Sequence, residues 1–228
     1  MSPTATNSRS DIVLAISGAS GAIYATRLLQ VLLGTGRRVH LTISPAAVLV
    51  ARQELHLEID LAKFSPQSLA LSADSPAWSK LPPAMQQVLS RAVPTGAPRG
   101  EIVYHHYQDL MSSIASGSHL TAGMVICPCS GSTLGAVVHG TGENLIHRAA
   151  SVHLKERRKL VVVPRETPLS TIQLENMRRA AEAGAVVLPA MPGFYHGAET
   201  IGDLVDFVVA RICDQLDVEH SLTRRWGD

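Results

Sequence analysis

The stretch from Val13 to Leu33, "VLAISGASGAIYATRLLQVLL", constrains the fold more than any other part of the chain. An apolar run of strand type passes through Gly18-Ala19-Ser20-Gly21 straight into a segment of helical apolar period. Such a unit buries both of its elements only inside a parallel sheet that helices cover. The same alternation continues along the chain. "RVHLTIS", "MVICPCS", "KLVVVPRE" and "AVVLPA" read as further strands. Helices are expected over 22–33, 46–54, two stretches within 132–156, 170–183 and 200–216. Gly34 and Gly36 suit the end of the first helix, and Pro45 suits the first turn of the second. The pattern predicts one three-layer, doubly wound α/β domain over 1–228, with 1–10 as a flexible N-terminus.

Residues from about Asp60 to His106 break this rhythm. Pro66, Pro76, Pro82, Pro83, Pro94 and Pro98 fall there, with one amphipathic helix expected near 83–92. A connection of this length is usually a lid, an oligomer arm or a mobile excursion.

Composition narrows the functional classes. The formal net charge of +1 gives no field that would draw the chain to nucleic acid or an anionic membrane. Cys127, Cys129 and Cys213 form neither a disulfide framework nor a paired metal-ligand set, and a reducing cytoplasm is the expected compartment. The N-terminus "MSPTATNSRSD" lacks the apolar core of a secretory signal, and no apolar run reaches membrane-span length.

The first turn is the place where a doubly wound sheet meets anionic ligands. Its glycines also suit plain close packing of helix on strand. A dinucleotide site would need an acid at the end of the second strand, but that strand ends in Ile43-Ser44-Pro45, and no Asp or Glu lies between Asp11 and Glu54. Arg37 and Arg38 stand at the wrong end of the strand for a 2′-phosphate, and no nucleoside-triphosphate loop is present. A mononucleotide such as FMN remains. Other strand ends carry polar groups as well. Ser130, Gly131, Ser132 and Thr133 open a helix, where the serines suit either a ligand or simple capping. Arg165 and Glu166 sit between Pro164 and Pro168, where charge at a buried strand end costs desolvation unless it meets a partner. Tyr195 and His196 follow Pro192 and Gly193. Arg148 and Lys155 lie seven residues apart on one expected helix, as anion ligands or as ordinary surface cations. The histidines form no H-x-x-x-H pair with a carboxylate, so no metal is expected.

Together, "SGASGA", "CPCSGST", "ENLIHRAASVHLKERRKLVVVPRETPLSTIQLENM", "PGFYH" and "DLVDFVVARICDQL" resemble the flavin prenyltransferase family of UbiX type. The resemblance runs from about residue 11 to the terminal "RRWGD", sparing the proline-rich segment. It implies a flavodoxin-like (Rossmann-like) fold and a homo-oligomer, dodecameric in the family. It also implies metal-independent transfer of a prenyl group from dimethylallyl monophosphate to N5 and C6 of reduced FMN. The prenylated FMN would serve a UbiD-type decarboxylase, often in ubiquinone biosynthesis. By motif, Gly18, Ala19, Ser20, Ser44, Ser130, Gly131, Ser132, Thr133 and Arg165 would bind FMN. Arg148, Lys155, Tyr195, Arg211 and Trp226 would hold the dimethylallyl phosphate, and Ser20, Glu54 and Glu166 would serve catalysis. Glu54 also suits a plain exposed helix end. Gly197-Ala198-Glu199 departs from the family pattern, which has a proline and a glutamine after the Tyr-His pair. Two other functions fit the flavin turns: an FMN-dependent cysteine-type decarboxylase and a non-catalytic flavin carrier subunit. The first lacks a counterpart to "PRETP", and the second would not need Tyr195, Arg211, Lys155 and Glu166 together.

Overall fold

A computed structural model describes residues 11–69, 71, 74–93, 99–225 and 227. Six strands form one parallel sheet: β1 (Ile12–Ile16), β2 (Val39–Ile43), β3 (Ile102–Tyr104), β4 (Gly123–Cys129), β5 (Leu160–Pro164) and β6 (Val186–Val187). Their order is β3-β2-β1-β4-β5-β6, so the chain winds outward from β1, then returns to its other side at β4. The point of reversal lies between the carboxyl ends of β1 and β4, where doubly wound sheets open a crevice for ligands.

Side chains of successive strand residues alternate between two cores. Ile12, Leu14, Ile16, Leu41, Ile43, Val125, Cys127, Val161 and Val163 face one side. There they meet α1 (Ala22–Gly34), α2 (Pro45–Leu55), α3 (Pro83–Ser90) and α7 (Ile201–Gln215). Val13, Ala15, Met124, Ile126, Leu160 and Val162 face the other, under α4 (Gly131–His139), α5 (Leu145–Lys155) and α6 (Thr171–Glu182). The three-layer α/β architecture is the expected one, and the helices fall where the apolar period put them. Five of these starts are capped by the N-cap side chain: Ser44 on α2, Ser130 on α4, Asn144 on α5, and capping boxes Ser170–Gln173 and Thr200–Asp203 on α6 and α7.

Within the proline-rich connection, Leu69, Leu71, Leu81, Val88 and Leu89 are buried in the first core. The expected helix is present as α3, packed on α1 and α7. The segment then supplies β3, the edge strand beside β2, which the sequence reading missed. Tyr104 of β3 stacks on Phe64 with centroids 4.1 Å apart, and its hydroxyl donates to Leu61 O at 3.0 Å. Burial, reinforced by Asp60, pushes that phenol up to about 12.

A buried ion pair ties the first core together. Arg27 of α1 is fully buried, and its Nε donates to Asp206 Oδ1 of α7 at 2.8 Å. Its Nη1 and Nη2 donate to Arg91 O and Ala92 O, both at 3.0 Å, past the end of α3. Arg91 Nε meets the second Asp206 oxygen at 2.7 Å, and Arg91 Nη2 meets Asp203 at 2.7 Å. Removing the shared carboxylate strands a guanidinium that cannot shed its charge. Asp206→Ala is therefore expected to lower unfolding free energy by about 3–5 kcal/mol in denaturant titration; a loss below about 1 kcal/mol would show that the pair does not hold the core.

Candidate functional site

Ser17, one residue past β1, joins the two turns at the point of reversal. Its Oγ donates to Pro128 O at 2.9 Å and accepts from Ser130 N at 2.8 Å. The second turn then starts α4 on Ser130, whose Oγ accepts from Thr133 N at 3.3 Å and donates to Thr133 Oγ1 at 3.0 Å. Ser132 Oγ lies 3.2 Å from Ser130 Oγ and is exposed. The capping role of Ser130 is thus realised, and Ser132 faces solvent at the mouth. Ser44 caps α2 through Ala47 N at 3.1 Å, while its own N–H donates to Ile16 O at 3.0 Å. Three helix starts therefore converge on one edge of the sheet.

The first turn is shaped by close approach. A Cβ on Gly18 would collide with Ala46 of α2, so only glycine lets the turn lie against that helix. Gly21 has φ 115°, in the left-handed region. Glu54, near the end of α2, then reaches across: Oε1 and Oε2 accept from Gly21 N at 3.1 and 3.0 Å, and Oε2 from Ala22 N at 2.8 Å. A carboxylate on a helix N-terminus meets unsatisfied donors and the positive end of the dipole. Glu54 is half-buried there and is not a free helix-end residue. Ser20 sits beside this contact, half-buried, and its carbonyl accepts from Arg165 Nε at 3.2 Å.

Arg165 and Glu166 leave the end of β5 toward the same edge. Glu166 Oε2 accepts from Gln173 Nε2 at 3.4 Å, and the same amide would lie 2.7 Å from a Cβ on Gly131. Gln173 thus links the loop after β5 to the turn after β4. Tyr24 of α1 lies close to both Cys127 and Arg165; burial, then Cys127, raises its hydroxyl above the usual range, and Arg165 opposes them. Burial raises the thiols of Cys127 and Cys129, the latter to about 12, so neither is a nucleophile. Ser17, Tyr24 and Gln173 were not singled out from sequence. Gln173 alone had a readable signal, as third residue of the Ser170 capping box.

One chain does not bring the expected allyl-phosphate residues to this edge. Lys155 ends α5 five residues before β5, at the amino ends of the strands, and pairs with Glu156. A strand of this length puts the two edges about 16 Å apart. Arg148 donates from Nε to Ala115 O at 3.1 Å, outside the two turns. Arg211 is exposed, pairs with Asp214 at 2.9 Å, and lies almost three turns below the start of α7. Tyr195 is 62% exposed in the loop after β6, edge-on to Phe207. His196 stacks on Phe207 at 5.1 Å with both ring nitrogens buried and without a hydrogen bond among the described residues. Gly197 takes φ 73°, in the left-handed region that a proline cannot adopt. Trp226 lies outside the described residues.

Ser17→Ala would leave the Pro128 carbonyl one donor short and the Ser130 N–H unpaired. Stability should fall by about 1–3 kcal/mol in thermal or denaturant melts, and FMN affinity should fall with it. Unchanged flavin titrations in this variant would detach Ser17 from the site.

A family model described as Flavoprotein matches residues 1–213. A Pseudomonas aeruginosa protein named flavin prenyltransferase UbiX is 48% identical over 217 residues, covering 95% of this chain and 94% of its own length. The crystal structure of AnUbiX (PadA1) in complex with FMN and dimethylallyl pyrophosphate superposes with TM-score 0.75 at 33% identity, covering 96% of this chain and 98% of that one. The dodecameric FMN-dependent UbiX-like decarboxylase of Escherichia coli O157:H7 superposes with TM-score 0.73 at 35% identity, covering 96% and 99%. The strand-end turns and this similarity over nearly the whole length lead to one assignment: the chain belongs to the flavoprotein family and, within it, to the UbiX-type flavin prenyltransferases.

Proposed function

We infer that the protein is a flavin prenyltransferase that moves the dimethylallyl group of dimethylallyl monophosphate onto N5 and C6 of reduced FMN. The products are prenylated FMN and phosphate. The observation that carries this reading is the convergence of Ser20, Glu54 and Arg165 on the point of reversal between β1 and β4. The residues there fit a flavin mononucleotide. Gly18 keeps the first turn free of a side chain, and Ser44 and the Ser130–Thr133 turn add polar groups at two helix starts.

Reduced FMN would supply the nucleophile: the allylic carbon–oxygen bond breaks and releases phosphate as N5 bonds to carbon and loses its proton, and C6 then closes the ring on the allyl double bond, whose other carbon takes up a proton while C6 gives one up. This chain's residues bind, orient and manage charge around that event. Arg165 puts a fixed cation at the flavin edge, anchored on the Ser20 carbonyl. Glu54 and Glu166 are the carboxylates available to take the released proton or return one to the phosphate. Gln173 orients Glu166 through its amide. A dry pocket favours the charge-separated allyl group, and cations stabilise the leaving phosphate.

Those cations, Lys155, Arg148 and Arg211, stand away from this edge in a single chain, and Tyr195 projects outward. The reading is therefore that neighbouring copies complete each phosphate site, in a homo-oligomer of the dodecameric kind seen for the Escherichia coli relative. The product would pass to a UbiD-type decarboxylase in the cytoplasm. No helix among the described residues is long and apolar enough to cross a membrane.

Purified protein given FMN, a reductant and dimethylallyl phosphate should return flavin heavier by one prenyl unit in mass spectrometry. Flavin that stays bound but unmodified would sink the transferase reading. Glu54→Gln should keep FMN and slow transfer by about 100-fold or more; loss of FMN would instead make Glu54 a binding residue. Lys155→Met and Glu54→Gln should each be slow alone, and oligomers assembled from both should regain activity, because some sites then hold both native residues. Mixed oligomers no faster than their parents would put Lys155 and Glu54 in the same chain's site.

A further inference from the structure

A second group of polar side chains lies at the amino end of the sheet, away from Ser20 and Arg165. Asp11 directly precedes β1 and His40 is the second residue of β2, and both are buried. His40 pairs in register with Val13 and so faces the core under α5. Its Nε2 lies 3.2 Å from Asp11 Oδ2 and 3.4 Å from His119 Nε2. His119 arrives edge-on from the segment between β3 and β4, with ring centroids 4.9 Å apart. One oxygen of Asp11 and one nitrogen of each imidazole all lie within 4.8 Å of one another.

His40 Nε2 has two polar neighbours at nearly equal range, the Asp11 oxygen and His119 Nε2. A divalent ion takes a lone pair from all three. For ligands about 2.0–2.1 Å from zinc in tetrahedral array, neighbouring ligand atoms stand about 3.3 Å apart, which is the spacing at His40. The surroundings are built in the manner of a metal site. His40 Nδ1 lies 2.9 Å from His105 Nε2, and His105 Nδ1 lies 2.8 Å from Ser112 Oγ. When His105 donates to Ser112 and His40 to His105, the tautomer of His40 is set and its Nε2 lone pair points at the cluster. Arg158 donates to His119 O at 2.6 Å and also to Gly117 O, which fixes the loop. Arg38 and Arg158 place opposing charge near the site, and Glu101 pairs with the former.

We propose that Asp11, His40 and His119 bind one divalent ion of the zinc class, with solvent in the fourth position, and that the ion fastens the 105–121 segment to the amino edge of β1 and β2. Two imidazoles and one carboxylate suit zinc, cobalt or nickel and disfavour magnesium or calcium. Half-exposed His119 gives the ion a way in from solvent. The site is separate from the flavin edge and stands whether or not the chain transfers a prenyl group.

Tag-free protein stripped with chelator should take up about one equivalent of zinc per chain by equilibrium dialysis and elemental analysis. Cobalt in its place should give the visible bands of a tetrahedral site. His119→Ala, a change at a half-exposed position, should weaken zinc binding by at least about 100-fold, and Ser112→Ala by about 10-fold. Zinc should raise the melting temperature of the native protein and not of His119→Ala. No uptake by the native protein, or uptake unchanged in His119→Ala, overturns the site.

Discussion

One hydroxyl holds the active edge in register. Where β1 and β4 end, their helices leave toward opposite faces of the sheet, and Ser17 N still donates to Pro128 O at 3.2 Å. Ser17 continues the pairing with a side chain, giving a proton to Pro128 O and taking one from Ser130 N. The two turns are thereby fixed against each other before any ligand arrives. Preorganisation of this sort lets binding energy go into the reaction instead of into ordering loops. Ser44 repeats the device between β1 and β2 through its backbone N–H on Ile16.

What the sequence made legible follows from how local each signal is. The β-turn-α units of β1–α1, β2–α2 and β5–α6 were readable because a strand period gives way to a helix period across one turn, of a single residue before α2, five before α1 and six before α6. The strand β3 was not, since three residues of "IVY" carry no period and follow a run of prolines. Prolines also disguised the buried leucines of the preceding segment, whose partners on α1 and α7 are remote in sequence. At the site, Ser20, Ser130 and Arg165 were legible because polar residues at the ends of apolar strands need a reason. The bond from Glu54 to Gly21 and Ala22 was not, because it spans some thirty residues and depends on how α2 lies on α1. The Asp11, His40 and His119 cluster is the extreme case, with ligand atoms from three separate crossings of the chain.

The distribution of charge separates stability from chemistry. Arg27 and Arg91 are spent on Asp203 and Asp206 and hold α1, α3 and α7 as one layer. That network lies on the side of the first core, apart from Arg165, which stands beside Ser20 at the strand ends. Lys155, Arg148 and Arg211, by contrast, make only short-range or backbone contacts on the outside, where a cation is little constrained by its own chain. A surface arranged in this way is suited to lend its charges to a neighbour.

Glu54 also changes what the start of the first helix can accept. In dinucleotide enzymes a pyrophosphate rests on the amides that begin the first helix. Here those amides at Gly21 and Ala22 already hold a carboxylate. A pyrophosphate in that position would face like charge at close range and forfeit the donors it needs, a repulsion worth several kcal/mol. The chain therefore keeps the sheet order of a doubly wound fold while its own carboxylate occupies the amides on which a pyrophosphate would rest.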